Sequence, residues 1–456
     1  MRFRKPNRIV VLLLIFAPLA ARGEGSPLSS TIPNPASVGI QSWTLEDVIK
    51  IALEKNSDLQ AANANYDAAA KGIGIAVSVY LPHIDLTARY DDTTLPSPSA
   101  GSAAQLGIGL PYRSVIVSVN QVIFDFGKAL SNISANRATS SAAEQEAVSV
   151  RNAVKLAVQK AFYDVQSTKQ LVAVSNKALV KYQEIVRRAE VLVHTGAKPK
   201  FDLTQAKVEN SKAKLVLIST QNANEFAKIA LLDLMGIRDT IPFELLETTL
   251  VDHAETSDKL HLDHLIDRAL VARPEIQGRQ YTVEAAMAQR FGEMKNYLPT
   301  VSLQAWGGRY YSDYPLALDN SWGVAVVGSW HVFSGLETMF RVGQDAAIVD
   351  RERAHLEGDR LEIIAEVTRA YKELDRSEKS FDVANEALLA SQENLHLAQR
   401  RYEADVATIL ELLTAENSLL SAESSFVTSR YDHEIALASL HRAVNAPLLD
   451  EEASKK

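Results

Sequence analysis

Nothing in the chain interrupts a helix between Lys128 and Thr195, because that stretch holds neither proline nor glycine. At about 1.5 Å of rise per residue it predicts a rod roughly 100 Å long. Within it Val158, Val165, Val172, Leu179, Val186 and Val193 recur every seventh residue. A later stretch repeats the pattern with Val367, Leu374, Phe381, Leu388, Leu395 and Tyr402. Four places before each of these stands a mostly small residue: Ile363, Ala370, Ser377, Ala384, Ser391 and Ala398. Heptads sustained this far predict coiled-coil packing with a left-handed supercoil, and small residues facing large ones let helices approach closely. An ordinary globular domain uses helices several-fold shorter.

The two rods belong to a tandem duplication. Leu45 to Leu53 answers Leu262 to Leu270, and Tyr80-Leu81-Pro82 answers Tyr297-Leu298-Pro299, at a constant offset of 217. Beyond residue 120 the offset becomes 209, pairing Phe124 with Phe333, Phe162 with Tyr371, Asp202 with Glu411, Ala206 with Ala415 and Leu231 with Leu440. Each copy reads helix, strand, loop, strand, very long helix, turn, long helix. The expected organisation is an N-terminal extended segment 24–44, repeat 1 at 45–236, a polar linker 237–261, repeat 2 at 262–446 and a polar tail 447–456.

Residues 1–23 differ from the rest. Arg2, Arg4, Lys5 and Arg8 precede an apolar run from Ile9 to Ala21, and Ala21-Arg22-Gly23 places small residues where a signal peptidase cuts. That pattern predicts a secretory signal peptide, with an uncleaved anchor as the alternative. No later segment offers the roughly 18 apolar residues of a membrane helix. An exported chain of this kind is then soluble or a closed β-barrel. Cysteine is absent, which excludes disulfides, thiolate metal sites and lipid attachment at cysteine. The leader carries five basic residues and no acid, so removing it takes the formal charge from −8 to −13. Such a charge argues against nucleic acid as a partner.

The strands follow a period of two. Ile84, Leu86, Ala88 and Tyr90 alternate with His83, Asp85, Thr87 and Arg89; Val115, Val117 and Val119 alternate with Ser114, Ser118 and Asn120. In copy two Trp322, Val324, Val326, Trp330 and Val332 share a face. Alternation fits a soluble sandwich edge as well as a membrane barrel, for which Tyr80, Trp306, Tyr310, Tyr311 and Tyr314 offer rim aromatics. Four strands cannot close a barrel alone, since the smallest have about eight. Open edges in lipid are not tolerated, so membrane-spanning strands here require several chains, and three copies would give twelve strands. The stretches 91–109 and 312–320 read as external loops.

In order, and twice over, these features resemble the TolC family of outer-membrane efflux and secretion channels. The resemblance runs from Leu45 to Pro447. It is carried by Tyr80-Leu81-Pro82 and Tyr297-Leu298-Pro299, by Phe124-Asp125-Phe126-Gly127, by Gly196 followed by Asp202-Leu203-Thr204-Gln205-Ala206, and by Arg401-Tyr402 followed by Glu411-Leu412-Leu413-Thr414-Ala415. The resemblance implies a mixed α/β membrane protein: a homotrimer with a 12-strand β-barrel in the outer-membrane lipid and a coiled-coil α-helical barrel in the periplasm. Its partners would be a periplasmic adaptor and an inner-membrane transporter, and it would act as a passive exit duct of a tripartite efflux pump or type I secretion system. It places the periplasmic gate at the helix-turn-helix tips, with Asp202 and Tyr402 as a linked pair and Glu411 in an acidic pore ring, where carboxylates favour cations. Two departures stand out: Ala407 occupies the place of a gating arginine, and Thr414 that of a second acidic ring. Plain structural roles stay open beside these, namely Tyr402 as heptad packing, Asp202 as a helix N-cap and Glu411 as a first-turn acid.

No catalytic or cofactor motif is found. His261, His264, Asp263 and Asp267 have helical spacing but read as a solvated face, and His433-Glu434 lacks the second histidine of a zinc-protease helix, having Leu437 there. The competing function is a structural or adhesive coiled-coil protein of the cell surface, which explains the heptads but not the duplicated strands.

Overall fold

The computed structural model describes residues 41–93, 110–238, 242–246, 260–312 and 320–445. The signal-peptide reading, the polar tail and most of both external loops fall outside these residues.

Copy one runs through α1 (Leu45–Lys55), α2 (Ser57–Ser78), β2 (His83–Thr93), β3 (Leu110–Phe124), α3 (Lys128–His194) and α4 (Lys200–Leu234). Copy two follows with α5 (Leu262–Ala272), α6 (Pro274–Met294), β5 (Thr300–Ser312), β6 (Asn320–Ser329), α7 (Glu337–Glu403) and α8 (Ile409–Val444). The strand β1 (Gln41–Trp43) precedes both copies and pairs with β4 (Phe243–Leu245), which lies inside the stretch read as a polar linker. Phe243 and Leu245 are buried there, with Phe243 stacked on Trp43 at 5.1 Å.

The long helices α3 and α7 each span 67 residues. Their heptad residues are what the packing uses: Val158, Val165, Val367, Leu374 and Leu395 are buried. In the lower part α4 packs on α3, α3 on α8 and α8 on α7. In the upper part α2 packs on α3, α3 on α6 and α6 on α7. Helices α2 and α6 thus begin where α4 and α8 end. Each splice is closed by a side chain in front of the upper helix. Asn56 Nδ2 donates to the Leu234 carbonyl at 3.0 Å, and Arg273 Nη1 donates to the Ala443 carbonyl at 3.1 Å. The lower helices stop in the left-handed region, at Gly236 (φ +66°) and Asn445 (φ +52°). A Cβ on Gly236 would lie 2.7 Å from the Lys55 carbonyl, so glycine is required there.

The four long strands form one antiparallel sheet in the order β2-β3-β5-β6. Register puts Leu86 beside Val117, Val117 beside Gly307 and Gly307 beside Trp322, so one face carries Ile84, Leu86, Val115, Val117, Val324 and Val326. The opposite face carries Asp85, Thr87, Ser118, Asn120 and Gln304. Among the described residues no helix covers the apolar face: Leu86 is 71% exposed, Trp322 81% and Val326 68%.

Two sequence expectations change here. Strand β6 ends at Ser329, so Trp330 and Val332 lie beyond the strand face assigned to them; Trp330 instead donates to the Tyr297 carbonyl at 3.0 Å. Trp306 sits on the polar face, against Gly323, where a Cβ would come within 2.4 Å of its ring, so it is no rim residue. The aromatics at the helical end of the sheet are Phe124, Tyr297, Trp330 and Phe333, all more than half exposed. At the far end Arg113 lies over the Tyr90 ring. The side chains of Tyr310 and Tyr311, and all of Tyr314, fall outside the described residues.

Candidate functional site: the tips of the helical hairpins

The hairpins α3–α4 and α7–α8 turn through the same backbone device. In the first, the Ala197 amide donates to the Leu192 carbonyl and the Gly196 amide to that of Val193. In the second, the Val406 amide donates to the Arg401 carbonyl and the Asp405 amide to that of Tyr402. This paired closure of a helix end needs one residue in the left-handed region. Copy one supplies Gly196 (φ +75°), whereas copy two places Asp405 there (φ +65°). Aspartate tolerates that region better than most side chains.

The three residues named from sequence all lie at these tips. Asp202 is buried in the first turn of α4, three residues past the N-cap position held by Pro199, so it is not the cap itself. Tyr402 sits in the last turn of α7, half-buried against a cluster that includes Leu395, Ile409 and Leu412. Burial lifts its hydroxyl pKa first, and the Asp202 carboxylate adds to the rise. The two side chains feel each other electrostatically without sharing a hydrogen bond within this chain. Glu411 stands in the first turn of α8, its amide donating to the Thr408 hydroxyl at 3.3 Å and its carboxylate 3.4 Å from Arg401. It is thus both a first-turn acid and half-exposed, with 47% of its side chain free.

The geometry adds Lys198, which sequence reasoning did not single out. Its ammonium pairs with the Asp405 carboxylate across the two turns and lies 5.3 Å from the centre of the Tyr402 ring. The hydrogen bond to Asp405 raises its pKa above the usual lysine value, with Tyr402 and Asp202 adding to the rise. Around it opens a groove of about 660 Å³ lined by Arg187, Arg188, Val191, Leu192, Tyr402 and Glu403, among others. Ala407, in the second turn, is buried.

One layer above the tips a carboxylate is enclosed between the hairpins. Glu416 is 7% exposed and receives a hydrogen bond from Gln399 Nε2 at 3.3 Å. Burial raises its pKa, against the lowering influence of Gln399 and Lys181. The equivalent pair in copy one is Glu190 with Lys207, an exposed ion pair at 2.9 Å. Among the described residues no cluster of histidine, aspartate and glutamate is arranged to hold a metal ion. The pair His261 and His264 stacks edge to face at 6.0 Å.

Comparison with known proteins agrees with this architecture. The family profile described as outer membrane efflux protein matches residues 48–237 and 265–446, the two copies in turn. The chain is 22% identical over 414 residues to the outer membrane efflux protein BepC of Brucella suis, covering 90% of this chain and 87% of that protein. It is 23% identical over 449 residues to TtgC of Pseudomonas putida, a probable efflux pump outer membrane protein, covering 94% and 90%. Its fold matches the crystal structure of the Campylobacter jejuni CmeC outer membrane channel with a TM-score of 0.77 at 18% identity, over 90% of this chain and 88% of that one. Two tandem copies, each with paired strands and a long helical hairpin, are matched in full by one family, and this chain belongs to the outer membrane efflux proteins, channels of the bacterial outer membrane.

Proposed function

We propose that three copies of this chain assemble into a passive exit duct that serves a tripartite efflux pump or a type I secretion system, joined to an inner-membrane transporter through a periplasmic adaptor. The observation that carries the assembly is that sheet and helices stop at the same two flanks. Strands β2 and β6 are edges with no partner among the described residues, while α4 and α7 bound the helical layer. Strand β6 runs on into α7, so one flank is continuous through both layers; β2 and α4 bound the other. The outer helices keep exposed apolar side chains on these flanks, Val208, Leu215 and Ile218 on α4 and Val383, Leu389 and Leu397 on α7. Joining flank to flank head-to-tail closes a ring and removes every sheet edge. Three copies pool four strands each into twelve, a size that leaves a lumen lined by the polar face, with the apolar face toward lipid. A structural or adhesive coiled coil would not need a sheet bare on its apolar face.

In this reading the hairpin tips form the periplasmic mouth. Asp202 and Tyr402 hold it and Glu411 contributes a carboxylate from each chain to the pore. The duct moves its cargo without bond chemistry.

The test is extraction from outer membranes in mild detergent, followed by measurement of the oligomeric mass corrected for bound detergent and of conductance in planar bilayers. A trimer that conducts is expected. A monomer, or a protein found wholly in the soluble fraction, would refute the duct.

A further inference from the structure

The turn positions of the two copies correspond one to one at the offset of 209, and the correspondence includes the two residues that pair across the hairpins. Ala407, which stands where the resemblance places an arginine, is the counterpart of Lys198; Asp405 is the counterpart of Gly196. Copy one therefore carries a cation in the slot where copy two has a methyl group, and copy two an anion where copy one has a hydrogen. The structure brings these two exceptions together: Lys198 pairs with Asp405 across the hairpins.

We propose that Lys198 is the cation of the mouth's lock, a role given to it by its ion pair with Asp405 and its place over the Tyr402 ring. This rests on the reading of the hairpin tips as the mouth. The lock so built differs in polarity from one centred on the second hairpin. Its positive charge comes from the α3–α4 turn and its negative charge from the α7–α8 turn, so it joins the hairpins of one chain directly. When the hairpins part, Lys198 loses both its carboxylate and its aromatic face.

The neighbouring Arg188 of the groove is already committed. Arg188 bonds Glu184 at 2.7 Å and lies 3.6 Å from Glu403. Asp202, buried beneath, adds negative potential that holds the ammonium in place. Asp405 occupies the left-handed turn position at some backbone cost where glycine would be free of strain, and the ion pair is what its side chain gains in return.

Two measurements on the full-length assembly test this. The first is zero-length carbodiimide coupling in detergent, which joins an amine to a carboxylate only where they touch. An amide between Lys198 and Asp405, found by peptide mass spectrometry within one chain, is expected; its absence under conditions that couple Lys207 to Glu190 would overturn the contact. The second is bilayer conductance of Lys198→Ala, Asp405→Gly, the double variant and Lys198→Arg. Asp405→Gly relaxes the turn, so a change there reports the lost charge and not a damaged backbone. Each single variant is expected to raise closed-state conductance severalfold, the double variant no further than either single, and Lys198→Arg not at all. Singles at the wild-type level, or a double variant that multiplies their effects, would overturn the lock. If wild type forms no channel at all while the Lys198–Asp405 amide is found, it is the duct reading that fails, and the conductive role of Lys198 falls with it.

Discussion

Replacing Arg273 by alanine probes the splice between α6 and α8. The guanidinium is 3% exposed. It donates to the carbonyls of Arg442 and Ala443 at 3.3 and 3.1 Å, to Glu275 at 3.0 Å and to Glu366 at 2.7 Å. Arg442 also reaches both carboxylates, so alanine leaves them with one guanidinium between them instead of two. Removing one member of a buried ionic group costs on the order of 3–5 kcal/mol, because the remaining charges stay desolvated. Unfolding entropy is about 2.1 cal/mol/K per residue, which for about 370 described residues is roughly 0.8 kcal/mol/K. The expected loss in melting temperature is therefore about 4–6 °C per chain, followed by circular dichroism in detergent at one fixed scan rate. Arg273→Asn should recover part of it. Asparagine caps α2 in copy one, where Asn56 accepts from the amides of Asp58 and Leu59, and a restored cap contributes about 1 kcal/mol. A melting temperature within about 1 °C of wild type for Arg273→Ala would refute the reasoning, since the network would then be a solvent-screened ornament of the splice.

Two further outcomes are expected. Burial raises the Glu416 pKa above its ordinary 4.5, so the packed hairpins favour the protonated acid. That contribution is present below 4.5 and is lost as pH rises through the raised value. Melting curves taken between about pH 5 and about pH 7.5 should fall more steeply for wild type than for Glu416→Gln, and parallel curves would remove Glu416 as the cause. Leu336 holds φ +67° at the start of α7, where copy one has Gly127 at φ +81°. Leu336→Gly should stabilise the chain by about 1 kcal/mol, a rise of roughly 1 °C, and a fall would show that the exposed leucine has a packing partner in the assembly.

What the sequence disclosed and what it withheld divide along a physical line. The rods were legible because a heptad is local: Val158 and Val165 announce a buried stripe whatever lies against it. The strands were legible for the same reason, since alternation assigns Leu86 and Val117 to one face before any partner is known. Strand β4 was not. Three residues carry no period, and Phe243 is apolar-side only because Trp43, two hundred positions away, stacks on it. Trp306 was misassigned because alternation places a residue on a face but says nothing of whether the neighbouring strand offers a glycine for its ring to cover.

The duplication supplies information that no single copy holds. Each structural problem in this fold is solved twice, and where the solutions agree, as in the paired turn closures, the requirement comes from the backbone. Where they differ, the difference marks a contact between the copies or a departure from their shared plan. Asn56 of copy one is answered by Arg273 in copy two, where the splice holds an ionic network. Glu190 with Lys207 is answered by Gln399 with Glu416, an exposed ion pair in one copy and an enclosed carboxylate in the other. Gly196 and Lys198 face Asp405 and Ala407, and the charge absent from each turn is supplied by the other. The closure between the hairpins of one chain thus draws one charge from each turn, and the alignment of the chain with itself is where that division of charge can be read.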